Sequence, residues 1–157
     1  MAMLGRTYES QNCSVARSLE LIGERWSLLI LRDAIFAGAT RFGDFQRSLG
    51  LASNILTTRL DRFVETGLME RRAAPESSYE EYVLTEKGRD LKPALIALTH
   101  WGDRWAAPAG PPWLLEHSGC GGLLEQLTAC TRCGTVVPQD EIATRPGPGA
   151  EQPVSSA

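Results

Sequence analysis

Glycines punctuate the first half of this chain at Gly23, Gly38, Gly50 and Gly67, and the segments between them carry apolar residues at helical spacing. Val15, Leu19 and Ile22 define a first helix over Cys13–Gly23. A second runs from Arg25 to Ala37, with Trp26, Leu29, Ile30 and Ala34 on one face and Leu28, Leu31 and Ile35 on another, a pattern that predicts burial on most sides. The third, Arg41–Leu49, presents Phe42, Phe45 and Leu49, and Gly50 turns the chain into a fourth helix over Ser53–Thr66. Two extended pieces follow, "LMERR" and "EYVLT", joined by "AAPESSYE", a connector whose Pro75 and paired serines predict a two-stranded hairpin. A last helix is expected from Glu86 to Trp105, with Leu91, Leu95, Leu98, Trp101 and Trp105 as its stripe and Pro93 as the place for a kink.

Helix, helix, helix, turn, helix, hairpin is the order of a winged helix-turn-helix. The expected class is therefore mainly α with a small β-hairpin. Four helices ahead of any strand is an unusual order for a small enzyme domain. Consistent with that, no nucleophile–base constellation, phosphate loop or paired carboxylates at catalytic spacing occurs, and an enzyme is not expected. His100, beside Trp101, reads as an exposed or interfacial histidine rather than a base.

The net charge of −3 does not by itself suggest a nucleic-acid partner. Its distribution does more. Arg41 to Arg72 holds six arginines against four acids, whereas from Ala73 onward eleven acids face six basic residues. A basic island in an acidic chain is compatible with DNA and equally with chance charge placement. The longest apolar run, near Trp26, is broken by Arg32 and Asp33, so no transmembrane span is expected. The start of the chain lacks a charged segment leading into an apolar one, and a cytoplasmic location is the expectation.

Within "GLASNILTTRLDRFVETGLMERR", Leu56, Leu60, Phe63 and Val64 stack on one helix face, while Asn54, Thr57, Thr58, Asp61 and Glu65 fall opposite. Alone, such a helix reads as an ordinary solvated helix on a core. Between a short helix and a hairpin it reads as a DNA-reading element. Asn54, Thr57 and Thr58 would then face base edges, asparagine suiting adenine and the threonine methyl suiting thymine. Ser53, Arg41, Arg59 and Arg62 would take phosphates, and Arg72, Ser77, Ser78 and Tyr79 of the wing would touch the backbone or minor groove. Glu76 at the wing tip opposes close phosphate contact.

The stretch Cys13–Trp105 resembles the HxlR-type bacterial transcription regulators, relatives of the MarR class. The resemblance is carried by "CSVARSLELIGERWSLLILRDAIFAGATRFGDFQRSLG", "LTTRLDRFVETGLMERR", "EYVLTEKGRDL" and "WGDRW". It implies a homodimer, made by the first and last helices, that binds double-stranded DNA at a roughly palindromic operator as a repressor, with the fourth helix in the major groove. It also implies a sensor role for Cys13, a cysteine that several such regulators use against oxidants or electrophiles. Physically, a helix N-terminus and Arg17 favour a thiolate there, and the bland alternative is a cysteine without chemistry. A small-molecule effector would find aromatic surface near Trp101 and Trp105, although core or interface roles suit those residues as well. One departure concerns Ala52, which stands where the family has Ser or a similar helix cap. Alanine cannot accept the orphan N–H groups, a loss of about 1 kcal/mol. Ser53 is left either to cap the helix one residue later or to meet a phosphate.

Beyond residue 107, "AAPAGPPW" marks a linker at 108–113 and separates the winged domain, 1–107, from a Cys/His-rich extension at 114–142. "HSGCGG" and "CTRCGT" share one pattern there: a ligand-capable residue, two spacers, Cys, Gly. His117, Cys120, Cys130 and Cys133 have the composition of a closed structural Zn2+ site, the two knuckles being separated by nine residues. A Cys130–Cys133 redox pair is the competing reading, although a thioredoxin-type motif needs a βαβ context that is missing. Free thiols on a loose tail are the third. Residues 143–157 have no apolar periodicity and are expected to be disordered.

Overall fold

The computed structural model describes residues 8, 11–74 and 78–150, which divide into two compact units, one ending at Trp101 and the other beginning at Gly102. The first holds α1 (Ser14–Ile22), α2 (Ser27–Phe36), α3 (Phe42–Leu49), α4 (Ser53–Glu65), β1 (Met69–Ala73), β2 (Glu80–Leu84) and α5 (Glu86–Arg89), followed by α6 (Lys92–Trp105).

The core is built from the inward faces of α2, α3 and α4. Ile30, Leu31, Phe45, Leu56, Leu60 and Phe63 are all fully buried. At about 1.5–3 kcal/mol per large apolar side chain removed from water, this cluster is what fixes α4 on its support. α2 is buried less completely than its two apolar faces predict: Leu29 is 36% and Phe36 38% exposed.

The turn between α3 and α4 is set by two residues. Gly50 takes the left-handed conformation, φ 62°, and its N–H bonds the Gln46 carbonyl at 2.9 Å. Leu51 then drops into the core at 7% exposure, pinning the turn from below. α4 closes with a Schellman arrangement, in which Gly67 N–H donates to the Val64 carbonyl (3.1 Å) and Leu68 N–H to that of Phe63 (2.8 Å).

β1 and β2 pair antiparallel with Met69 opposite Leu84 and Ala73 opposite Glu80. "MERRA" is a poor strand sequence by itself. Its partner is held on the other edge as well, because Tyr82 N–H donates to the Thr40 carbonyl at 2.7 Å, docking the hairpin on the α2–α3 connection. The expected helix from Glu86 to Trp105 is two helices: α5 stops at Arg89 and α6 starts at Lys92. Pro93 explains the break, since it has no N–H for the Arg89 carbonyl and fits only the first turn of a new helix. Thr85 caps α5, its Oγ1 accepting from Gly88 N–H at 3.2 Å. Gly88 itself is obligatory there, because a Cβ would lie 2.2 Å from the Leu68 carbonyl oxygen.

Candidate nucleic-acid interface

With Leu56, Leu60 and Phe63 locked inward, α4 presents its other face to solvent, and Asn54, Thr57 and Thr58 are all exposed on it. The threonines are not equivalent. Thr58 Oγ1 donates to the Asn54 carbonyl at 2.8 Å, leaving its methyl group as the outward feature. Asn54 and Thr57 make no side-chain hydrogen bond to another described residue and remain available to a partner.

The N-terminus of α4 resolves the question raised by Ala52. Ala52 is the cap residue and provides no side-chain cap, and the helix begins at Ser53. Ser53 is not the cap: its Oγ accepts from Gln46 Nε2 at 2.8 Å, and the same amide group reaches the Leu51 carbonyl at 3.4 Å. Gln46 thus ties α3 to the first turn of α4, and the Ser53 hydroxyl proton is still free to be donated outward. This tie was not visible in the periodicity, although Gln46 sits beside Phe45 on the rim of the packed face of α3.

The arginines separate into two groups. Arg62 is half exposed and, among the described residues, pairs only with Glu65, at 3.6 Å on the same helix. Arg41, at the N-cap of α3, is 58% exposed and 3.6 Å from Glu81. Arg47, passed over in the sequence, is 79% exposed in the last turn of α3, 3.3 Å from Asp44. Arg59, expected on a phosphate, lies elsewhere. It is 22% exposed, its guanidinium bonds Glu24 Oε2 at 2.8 Å, and its Nε is buried without a partner among the described residues. Position explains this: Arg59 follows Leu56 by three residues and precedes Phe63 by four, which puts it on the edge of the buried seam.

The hairpin is charge-compensated. Arg72 pairs with Glu70, and Arg71 with Asp61 and, at 3.9 Å, Glu80; Arg71 also lies 5.8 Å from the centre of the Tyr82 ring. The phenolic group of Tyr82 and both acids favour the charged guanidinium and raise the Arg71 pKa further. Ser78 and Tyr79 are exposed, whereas Glu76 and Ser77 lie outside the described residues.

Cys13 is the exposed N-cap residue of α1. The backbone N–H groups of Ala16 and Val15 face its sulfur and hold the thiol below its ordinary value. In the second unit, His117 Nδ1 lies 3.2 Å from Cys120 Sγ, and hydrogen bonds from Thr135 and Cys130 lower the Cys133 thiol to about 7. Among the described residues, no three His, Cys, Asp or Glu side chains are gathered closely enough, as they stand, to hold a metal ion. No helix among them is long and apolar enough to cross a membrane.

Two helices joined by a three-residue turn, the second exposed and followed by a hairpin, define a winged helix-turn-helix DNA-binding protein. The HxlR-like helix-turn-helix family model matches residues 21–109, and the chain belongs to that family. It is 42% identical to an uncharacterized HTH-type transcriptional regulator of Mycobacterium tuberculosis over 161 aligned positions, covering 100% of both chains. Among solved structures, it is similar to PA1607, a candidate transcription factor, with a TM-score of 0.79 and 41% identity over 88% of this chain and 97% of that one. The redox regulator HypR in its reduced form matches with a TM-score of 0.53 and 28% identity, over 59% of this chain and 92% of its own. The chain is a DNA-binding transcriptional regulator of the MarR-related type and not an enzyme.

Proposed function

We propose that this regulator is a homodimeric repressor that binds a palindromic operator, with α4 in the major groove and its affinity gated by thiol chemistry. The observation that carries the reading half of this is the exposed face of α4, where Asn54 and Thr57 stand uncommitted while the opposite face is locked in the core. Asn54 offers a bidentate partner to adenine, and the Thr57 and Thr58 methyl groups suit thymine. Ser53, Arg41, Arg47 and Arg62 take phosphates, which sets the register of the helix in the groove. Arg72 and Ser78 serve the adjoining backbone. Arg59 belongs to the support of α4 and makes no phosphate contact.

Two unpartnered apolar surfaces support the dimer. Val15 and Leu19 on α1 are 67% and 42% exposed, and Leu98 and Trp101 on α6 are 51% and 63% exposed. Surface of this kind beside the packed core of the first unit is what a partner subunit covers. The thiol gate rests on the exposed, lowered-pKa Cys13 at the start of α1, one of those two helices, and on the likeness to HypR. A charge at Cys13 or a bond through it would act on the dimer rather than on α4.

Sedimentation of the full chain and DNase protection of the DNA upstream of its own gene test this together. A dimer and a protected segment with two-fold symmetric half-sites are expected, and Leu19→Glu is expected to give monomers that no longer protect it. A monomeric wild-type chain, or protection without two-fold symmetry, would reject the proposal.

A further inference from the structure

We infer that His117, Cys120, Cys130 and Cys133 form a structural zinc site that holds the extension together, in which two turns of one shape each supply two ligands. The repeat is visible atom by atom at an offset of thirteen residues. His117 N–H donates to the Gly122 carbonyl (2.8 Å) as Cys130 N–H does to that of Thr135 (2.9 Å). Gly121 N–H donates to the His117 carbonyl and Gly134 N–H to that of Cys130, both at 2.8 Å. Leu124 N–H bonds the Leu115 carbonyl at 2.9 Å and Val137 N–H that of Thr128 at 2.8 Å. The flanking bridges repeat as well, Glu116 with Leu123 and Ala129 with Val136, and both Gly121 and Gly134 have φ 72°. Two unrelated surface turns have little reason to share these three bonds and both flanking bridges. A pair of turns that must each place two ligands on one ion does.

The side chains agree with the backbone. In the first turn, His117 Nδ1 and Cys120 Sγ are 3.2 Å apart, close to the ~3.6 Å edge that tetrahedral Zn–N and Zn–S bonds of ordinary length require. In the second, Cys130 and Cys133 stand at the positions that match His117 and Cys120, on a turn closed by the same backbone bonds. One sequence difference between the two turns is informative. Gly119 sits where a Cβ would lie 3.0 Å from His117 Cε1, whereas its counterpart, Arg132, carries a long side chain beside the smaller Cys130. Glycine leaves room where the first ligand is an imidazole ring.

The turns are joined by the short segment 123–129, and the ion supplies the attraction that brings the two pairs together. On binding, the three thiols lose their protons and the imidazole binds in its neutral form. With so few buried side chains in this unit, such an ion is its principal source of order.

The test uses the full chain purified without chelator. About one zinc per chain is expected, with Cys13 alone among the four cysteines alkylated rapidly, and all four alkylated after the zinc is stripped. Zn2+ added to the stripped chain should restore the protection. Gly119→Arg should weaken zinc binding by about tenfold or more, Arg132→Gly should not, and His117→Cys combined with Gly119→Arg should recover it. Failure of the stripped chain to take up zinc would overturn the site. So would four thiols reacting alike before and after chelation, a Cys130–Cys133 disulfide in zinc-free protein, or equal effects of Gly119→Arg and Arg132→Gly.

Discussion

Arg59 and Arg62 lie three residues apart on α4, and replacing each in turn with alanine separates support from DNA contact. Arg62 is half exposed with only a 3.6 Å, same-helix carboxylate beside it, so its pairing is weak and readily exchanged for a phosphate. One phosphate contact contributes about 0.9 to the slope of log K against log[salt]. In a dimer the change removes two contacts, so Arg62→Ala should flatten the slope by about 1.8 and cost about tenfold more affinity at 50 mM salt than at 200 mM. Arg59 is bound to Glu24 at 2.8 Å and is 22% exposed, while Glu24 is 63% exposed. That exposure limits the pair to at most about 1 kcal/mol, and removing the unpartnered Nε offsets part of the loss. Arg59→Ala should therefore lower the urea midpoint slightly and leave the salt slope unchanged. Fluorescence anisotropy of a labelled operator duplex across a salt series, with urea melts of both variants, reads all of these quantities. An Arg59→Ala slope that falls as far as that of Arg62→Ala would place Arg59 on a phosphate and exclude a purely supporting role.

Three further outcomes follow from the same structure. Phe63→Ala empties a fully buried position under α4 and should cost about 3–5 kcal/mol in urea unfolding, against under 1 kcal/mol for a change at exposed Glu65. Gly88→Ala places a methyl 2.2 Å from the Leu68 carbonyl oxygen and should cost about 1–3 kcal/mol, whereas Gly43→Ala meets open space and should be neutral or slightly stabilising in thermal melts. N–H groups facing the Cys13 sulfur favour its charged form, so its site-resolved alkylation rate should titrate below the ordinary 9.0. A midpoint at or above 9.0 would remove the basis for a thiol gate at that residue.

The order of elements was legible because each helix carries its own apolar seam and its own stop. Gly50 and Gly67 take the left-handed conformation at the places their sequence positions mark, and the hairpin falls where "LMERR" and "EYVLT" stand. The face of α4 was legible for the same reason. What periodicity could not supply was pairing between elements. Nothing in the local sequence announces that Gln46 reaches Ser53, that Thr40 accepts from Tyr82, or that Thr85 locks back on the Gly67 carbonyl at 2.6 Å. Arg59 is a different case. Its spacing from Leu56 and Phe63 already places it at the seam, where its guanidinium meets Glu24. Pro93 also had a definite meaning, a break two residues upstream rather than a bend, because a proline in a first turn costs nothing there.

In the proposed function, Asn54 and Thr57 read the operator from the exposed face of α4. The most direct measurement is the ratio of operator to scrambled-duplex affinity for the wild-type chain and for the Asn54→Ala/Thr57→Ala variant at one fixed salt concentration. The ratio should fall by at least about a thousandfold, two base contacts at ~1–3 kcal/mol each in both half-sites, while non-specific affinity and the dimer are retained. A variant that still distinguishes the operator as well as the wild type would exclude Asn54 and Thr57 as the reading residues.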